Sequence, residues 1–148
     1  MTLLAIDPGK RIGWCLFTSS GDEVHRGVTD WDNLFLCLQN WDDELVFLQG
    51  RSTWKLNQLV VEDYIGRPGA KNGGQHFDAS EVIGALRLLS EGTSCPLIRQ
   101  RAVDVLKVAA LHAGYKLPKG HLPDQDSAYL HGYYRLEQLG ILRAKPLE

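Results

Sequence analysis

The sequence predicts an α/β domain in which a mixed sheet carries helices against it. Three observations lead there. Three strand-like runs joined by tight turns open the chain, two more strands follow in alternation with helical periodicity, and two helices close it. The resulting order, βββαβαβαα, is that of a mixed sheet covered by helices. With 148 residues, 44% hydrophobic and 23% charged, the chain is expected to form a single domain over 1–148 with a core of its own.

The elements follow in order. Leu3, Leu4, Ala5 and Ile6 read as a strand ending on Asp7, and Ile12 to Phe17 as its hairpin partner. Pro8 and Gly9 supply the turn between them. Glu23 to Thr29 is a third strand beyond the turn Ser-Ser-Gly-Asp. Trp31 to about Leu48 has helical apolar spacing, with Asp30 or Asp32 as N-cap. Leu59 to Tyr64 is a β-branched strand, and Ile65 to Gly74 is a Gly/Pro-rich loop holding Arg67, Lys71 and Asn72. Asp78 to Ser90 reads as a helix with Ala79, Val82, Ile83, Leu86 and Leu89 on its apolar face. Pro96 to Ile98 is a fifth strand, and Ala102 to Ala113 a helix ended by Gly114. The last helix runs from about Asp124 to Leu139 and stops at Gly140.

No apolar run is long enough to span a bilayer, and Asp7 interrupts the only N-terminal apolar stretch, so neither a membrane span nor a signal peptide is expected. Cys15, Cys37 and Cys95 are odd in number and lack metal-ligand spacing, which reads as reduced thiols of a cytoplasmic protein. The formal charge of −2 argues mildly against a nucleic-acid partner. Setting four of the 18 acids aside in one cation-filled site leaves 14 against 16 basic residues, so net charge does not decide.

The acids carry more information. Asp7 ends one apolar strand and Glu62 another. By alternation, Asp7 shares a face with Leu3 and Ala5, and Glu62 with Val60. Parallel neighbours would bring both carboxylates out at one sheet edge, with Asp63 on the opposite face. Asp126 leads the stripe Tyr129, Leu130 and Tyr133 and is expected to face inward, with Asp124 at or just before the N-cap. Inward carboxylates from separate segments are economically explained by divalent cations, since Mg²⁺ prefers hard oxygen ligands. The alternatives are ordinary ones. Asp7 can cap its turn, Asp124 can cap its helix, Asp126 can favour the helix dipole, and His121 can be a solvated loop residue. His131, five residues past Asp126, is read as structural.

The motif Asp7-Pro8-Gly9 with Arg11-Ile12-Gly13, then Val60-Val61-Glu62, then Asp126-Ser127-Ala128 on a terminal helix resembles the RuvC-type Holliday-junction resolvases of the RNase H-like superfamily. Lys71-Asn72 through Ser80-Glu81-Val82-Ile83-Gly84 is similar to that family's junction-contacting loop and helix. The resemblance runs from Leu3 to about Leu136. It implies a five-stranded mixed sheet flanked by helices and a homodimer. The implied activity is nicking of opposed strands of branched DNA, a four-way junction, to leave 5′-phosphates. The implied cofactor is Mg²⁺, two ions per site, with Mn²⁺ expected to substitute. The implied catalytic and metal-ligating residues are Asp7, Glu62, Asp124 and Asp126. Asp126 corresponds to the family's final acid. The family has a further acid or His three residues earlier, where this chain has Pro123, so Asp124 and His121 both stand as candidates for the fourth ligand. Lys10, Arg11, Arg67, Lys71, Asn72 and Lys119 are candidate DNA contacts. Phe77 matches a junction-probing aromatic and equally a core residue ahead of a helix. The helix Ala79 to Leu89 is the expected dimer interface. A compact resolvase of this divergence would suit a bacteriophage or mobile element.

Other functions fit parts of the pattern. A junction binder without catalysis follows from the interruption at Pro123. RNA processing follows from the Lys-Arg-Ile-Gly hairpin shared with resolvase-like relatives of the YqgF type, although the Asn-bearing loop favours DNA. An ATP-binding module of the sugar-kinase or actin kind would need a second domain, for which 148 residues leave no room.

Overall fold

The structure, a computed structural model, describes residues 2–38, 45–46, 53–54, 56–63, 73–93 and 95–144. Strand β1 (Thr2–Asp7) pairs antiparallel with β2 (Ile12–Phe17), which pairs antiparallel with β3 (Glu23–Thr29). Helix α1 (Trp31–Leu38) follows, its first turn capped by Asp30, whose Oδ1 accepts from the Asn33 backbone N–H at 2.9 Å. The two-residue strands β4 (Leu45–Val46) and β5 (Thr53–Trp54) pair with each other apart from the main sheet. Strand β6 (Leu56–Glu62) runs parallel to β1, helix α2 (Gly73–Glu91) crosses over, and β7 (Leu97–Gln100) runs parallel to β6. Helices α3 (Ala102–Ala113) and α4 (Asp124–Gln138) close the chain. The main sheet has five strands in the order β3-β2-β1-β6-β7, mixed as expected.

Alternation along the strands divides the core. Leu4, Ile6, Trp14, Leu16, Leu59 and Val61 bury against Leu34 of α1 and Val82, Ile83 and Leu86 of α2. Leu3, Ala5, Cys15, Phe17 and Val60 bury on the opposite face against Ala128 and Leu136 of α4. Helix α3 then covers the outside of α4, packing Val105, Ala109 and Ala113 on Leu130 and Tyr133. Each fully buried leucine contributes about 1.5–3 kcal/mol. Helix α4 is therefore covered on two sides, by the sheet and by α3.

Two close approaches set how α4 lies on the sheet. A Cβ on Gly132 would stand 2.2 Å from the Phe17 ring, and one on Gly13 would stand 2.1 Å from the Asp124 carbonyl oxygen. Only glycine allows main chain to come so near. The start of α4 is thereby seated on β2, beside Asp7, the residue of the neighbouring strand that pairs with Gly13.

Several boundaries differ from expectation. The helix expected to reach Leu48 is described over Trp31–Leu38, and Leu45–Val46, expected inside it, is strand. Pairing of Leu45-Val46 with Thr53-Trp54 outweighs the helical spacing there. Helix α2 begins at Gly73, five residues early, so Phe77 lies within the helix and not ahead of it. Arg67, Lys71 and Asn72 lie outside the described residues, as does the side chain of Phe77. No helix among the described residues is long and apolar enough to cross a membrane.

Candidate active site

The register of the parallel pair sets Ile6 against Val61, so Asp7 and Glu62 lie one step further on, at the same sheet edge and on the face covered by α4. Across β1 on the other side is Gly13, against which the Asp124 backbone rests. Asp124, first residue of α4, faces the same space. The N-cap is Pro123, which lacks a capping side chain, so the Asp124 carboxylate is not used to cap the helix. The helix-starting donors are met by the Pro123 carbonyl, which accepts from the backbone N–H of Asp126 at 2.9 Å and of Ser127 at 3.0 Å.

These acids line one open cleft of about 500 Å³. Asp7, Glu62 and Asp124 form its acidic side with His121 beside Asp124, Lys10 and Arg11 come from the hairpin turn, and Ala79 of α2 lines it too. His121 Nε2 lies 3.6 Å from Asp124 Oδ1 and its side chain is 85% exposed. The Asp7 carboxyl is pushed up to about 8, first by burial, then by the charges of Glu62 and Asp124, against a lowering influence of the nearby Ser127 hydroxyl. Repulsion among carboxylates gathered in one place is the electrostatic signature of the cleft. Among the described residues, no three His, Cys, Asp or Glu side chains converge tightly enough to enclose a metal ion by themselves.

Asp126 is not in the cleft. Its Oδ1 accepts from Arg26 at 2.8 Å and its Oδ2 from the Tyr115 hydroxyl at 2.7 Å, so both oxygens are engaged. Arg26 also pairs with Glu23 at 2.8 Å and lies 4.1 Å from the Tyr129 ring centroid. The expectation that Asp126 gathers with Asp7 and Glu62 is thus corrected, and the reason is helical geometry. Residues two apart are about 200° apart around a helix, so with Asp124 toward β1, Asp126 is turned to the β3 edge. The apolar stripe Leu130 and Tyr133 marks the side of α4 that meets α3, not the side that meets the acids.

The sheet-facing stripe of α4 is Asp124, Ser127, Ala128 and His131, the i, i+3, i+4, i+7 positions of one face. Sequence reasoning missed two of these. Ser127 Oγ donates to Glu62 Oε2 at 3.0 Å. His131, read as structural, is fully buried, with Nε2 3.3 Å from the same Glu62 oxygen and Nδ1 2.9 Å from Gln100 Oε1. The available signal was the small-residue set Ser127, Ala128 and Gly132, which permits close packing on a sheet. Of the other candidates, Lys10, Arg11 and Lys119 are exposed, and Lys119 does not line the cleft. Asp63, on the opposite face, pairs with Arg99 at 2.7 Å.

The five-stranded mixed sheet in this order, flanked among the described residues by four helices, is the RNase H-like α/β fold. Within it the chain is similar to RuvC of Thermus thermophilus. The structure of that protein in complex with a Holliday junction substrate matches with a TM-score of 0.59 and 15% identity, covering 99% of each chain. A second Thermus thermophilus RuvC structure matches with a TM-score of 0.57 and 14% identity, over 99% of this chain and 100% of that one. At such identity the likeness is one of fold. No protein-family model matches the chain, and no curated protein does.

Proposed function

We propose that this protein is a divalent-metal-dependent endonuclease that resolves four-way DNA junctions by paired nicking of opposed strands. The observation that carries the reading is the gathering of Asp7, Glu62 and Asp124, from three distant segments, around a carboxyl held near 8 by burial and mutual repulsion. The fold shared end to end with a RuvC bound to a Holliday junction supports the choice of substrate.

The donor set fits a hard cation. Carboxylates that repel one another in a partly buried cleft are stabilised by positive charge, and Mg²⁺ retains several waters, so the acids need not enclose it alone. Asp7, Glu62 and Asp124 would hold it, Asp7 centrally, with His121 at the rim. Taking Asp124 as the final acid puts His121 three residues before it, so the family spacing is met without reference to Pro123. When bound, such ions lower the pKa of an attacking water and stabilise the leaving oxygen.

The chain's own residues do the rest. Asp7 must be ionised to bind the cation, so binding releases whatever proton it carries at neutral pH. Lys10 and Arg11 flank the cleft and pair with phosphates on either side of the scissile bond. Glu62 is held by Ser127 from behind. Lys119, with Arg67, Lys71 and Asn72, extends the phosphate contacts, and a homodimer presents two clefts to opposed strands.

A synthetic four-way junction incubated with the protein and Mg²⁺ or Mn²⁺ should be nicked to give 5′-phosphate ends, with cleavage lost in Asp7→Asn and junction binding kept. Junction binding without any nicking in either metal, or nicking that continues in excess chelator, refutes the proposal.

A further inference from the structure

Behind Glu62 lies a buried polar chain that the catalytic reading does not use. His131 has no solvent exposure and Gln100 is 7% exposed, inside an otherwise apolar packing of α4 on the sheet. Burying two polar side chains at such a place costs stability unless each is committed to a partner. The His131 Nδ1 atom is committed to Gln100 Oε1 at 2.9 Å. Its Nε2 atom makes no well-aligned hydrogen bond, and neither does Gln100 Nε2. Nε2 of His131 nevertheless lies 3.3 Å from Glu62 Oε2, at ion-pair distance but off the line of a hydrogen bond.

The same oxygen already accepts from Ser127 Oγ at 3.0 Å. Two groups on one stripe of α4 thus converge on Oε2, while Oε1 has no protein partner among the described residues. The carboxylate is fastened by one oxygen only. Whichever way the Gln100 carboxamide is turned, it fixes the plane of the imidazole. With its NH₂ donating to Nδ1, the neutral ring carries its proton on Nε2, on the side of Glu62. That arrangement sets an N–H beside Glu62 Oε2.

We propose that Gln100, His131 and Ser127 form a positioning relay that pins Oε2 of Glu62 and thereby presents Oε1 to the cation of the cleft. His131 and Gln100 touch neither DNA nor the reacting atoms, and act through Glu62. The inference rests on the proposed function, because it assigns a purpose to a carboxylate that the proposal makes a ligand. Groups that orient metal-ligating side chains from behind typically govern metal affinity by about 10- to 100-fold.

The test is Mn²⁺ titration of the metal-free protein, followed by the loss of free-ion electron paramagnetic resonance signal, in His131→Leu, His131→Gln and Gln100→Leu. His131→Leu should weaken Mn²⁺ binding by about 10- to 100-fold. His131→Gln restores an N–H donor and should recover most of that loss. Gln100→Leu keeps the ring but frees its plane and should weaken binding to an intermediate degree; it carries the test if His131→Leu does not fold. A purely structural role would shift thermal midpoints and leave Mn²⁺ affinity at the wild-type value in every folded variant, which overturns the relay alone. Wild-type protein that takes up no Mn²⁺ overturns the proposed function, and the relay with it.

Discussion

Replacing Asp7 by Asn should make the metal-free protein more stable, and more so as pH rises. Asp7 has its carboxyl raised from 3.8 to about 8 in the folded chain, chiefly by burial, then by Glu62 and Asp124. The folded state therefore holds this proton more tightly than the unfolded state does. Below pH 3.8 both states are protonated and Asp7 costs nothing; between 3.8 and about 8 the unfolded chain gains by ionising and stability falls; above about 8 the loss is complete. Each pH unit in that window weighs about 1.4 kcal/mol against folding, so the upper limit at pH 7 is about 4 kcal/mol. Asn removes the charge, though it too is a buried polar group and gives back part of the gain. A chain of this size shifts its midpoint by about 2–4 °C per kcal/mol, so the variant should melt up to about 10 °C higher at neutral pH. The assay is thermal or urea unfolding of both proteins in chelator, from about pH 4 to about pH 9. A stability difference that stays constant across that range, or that shrinks as pH rises, refutes the electrostatic account of the cleft. Added Mg²⁺ should reverse the order, stabilising the wild type by mass action and leaving the variant unmoved.

Two further outcomes follow from the geometry. Asp124→Asn should abolish junction nicking with little effect on stability, whereas Asp126→Asn should keep nicking and lose about 1–3 kcal/mol in urea unfolding, because Arg26 and the Tyr115 hydroxyl lose a charged acceptor. Equal loss of nicking in both would return Asp126 to the site. Gly13→Ala should destabilise the fold by about 1–3 kcal/mol, since the new methyl meets the Asp124 carbonyl, and should depress nicking far beyond what the stability loss explains.

The strand ends were legible because each is an apolar run stopped by a charge. Asp7 and Glu62 stand out from Leu3 to Ile6 and from Leu59 to Val61, and the parallel pairing places them together as alternation requires. The opening hairpin was equally plain from Pro8 and Gly9. What could not be read was the rotation of α4. Its most apolar stripe meets α3, and its sheet-facing stripe is small and polar, so hydrophobic spacing pointed to the wrong side and to Asp126. His131 was hidden for the same reason, because a buried histidine on a carboxylate and a solvated one look alike in sequence. The helix expected up to Leu48 failed where Leu45-Val46 pairs with Thr53-Trp54, a strand pairing that helical spacing within the segment cannot express.

The resting of α4 on Gly13 has a consequence for how such a cleft survives divergence. The spacing between the acids of β1 and α4 is set by carbonyl and Cα atoms in contact, so it is indifferent to nearly every side chain around it. Surroundings can be rewritten wholesale while the gap between charges stays fixed, provided one hydrogen atom at position 13 is never replaced by carbon.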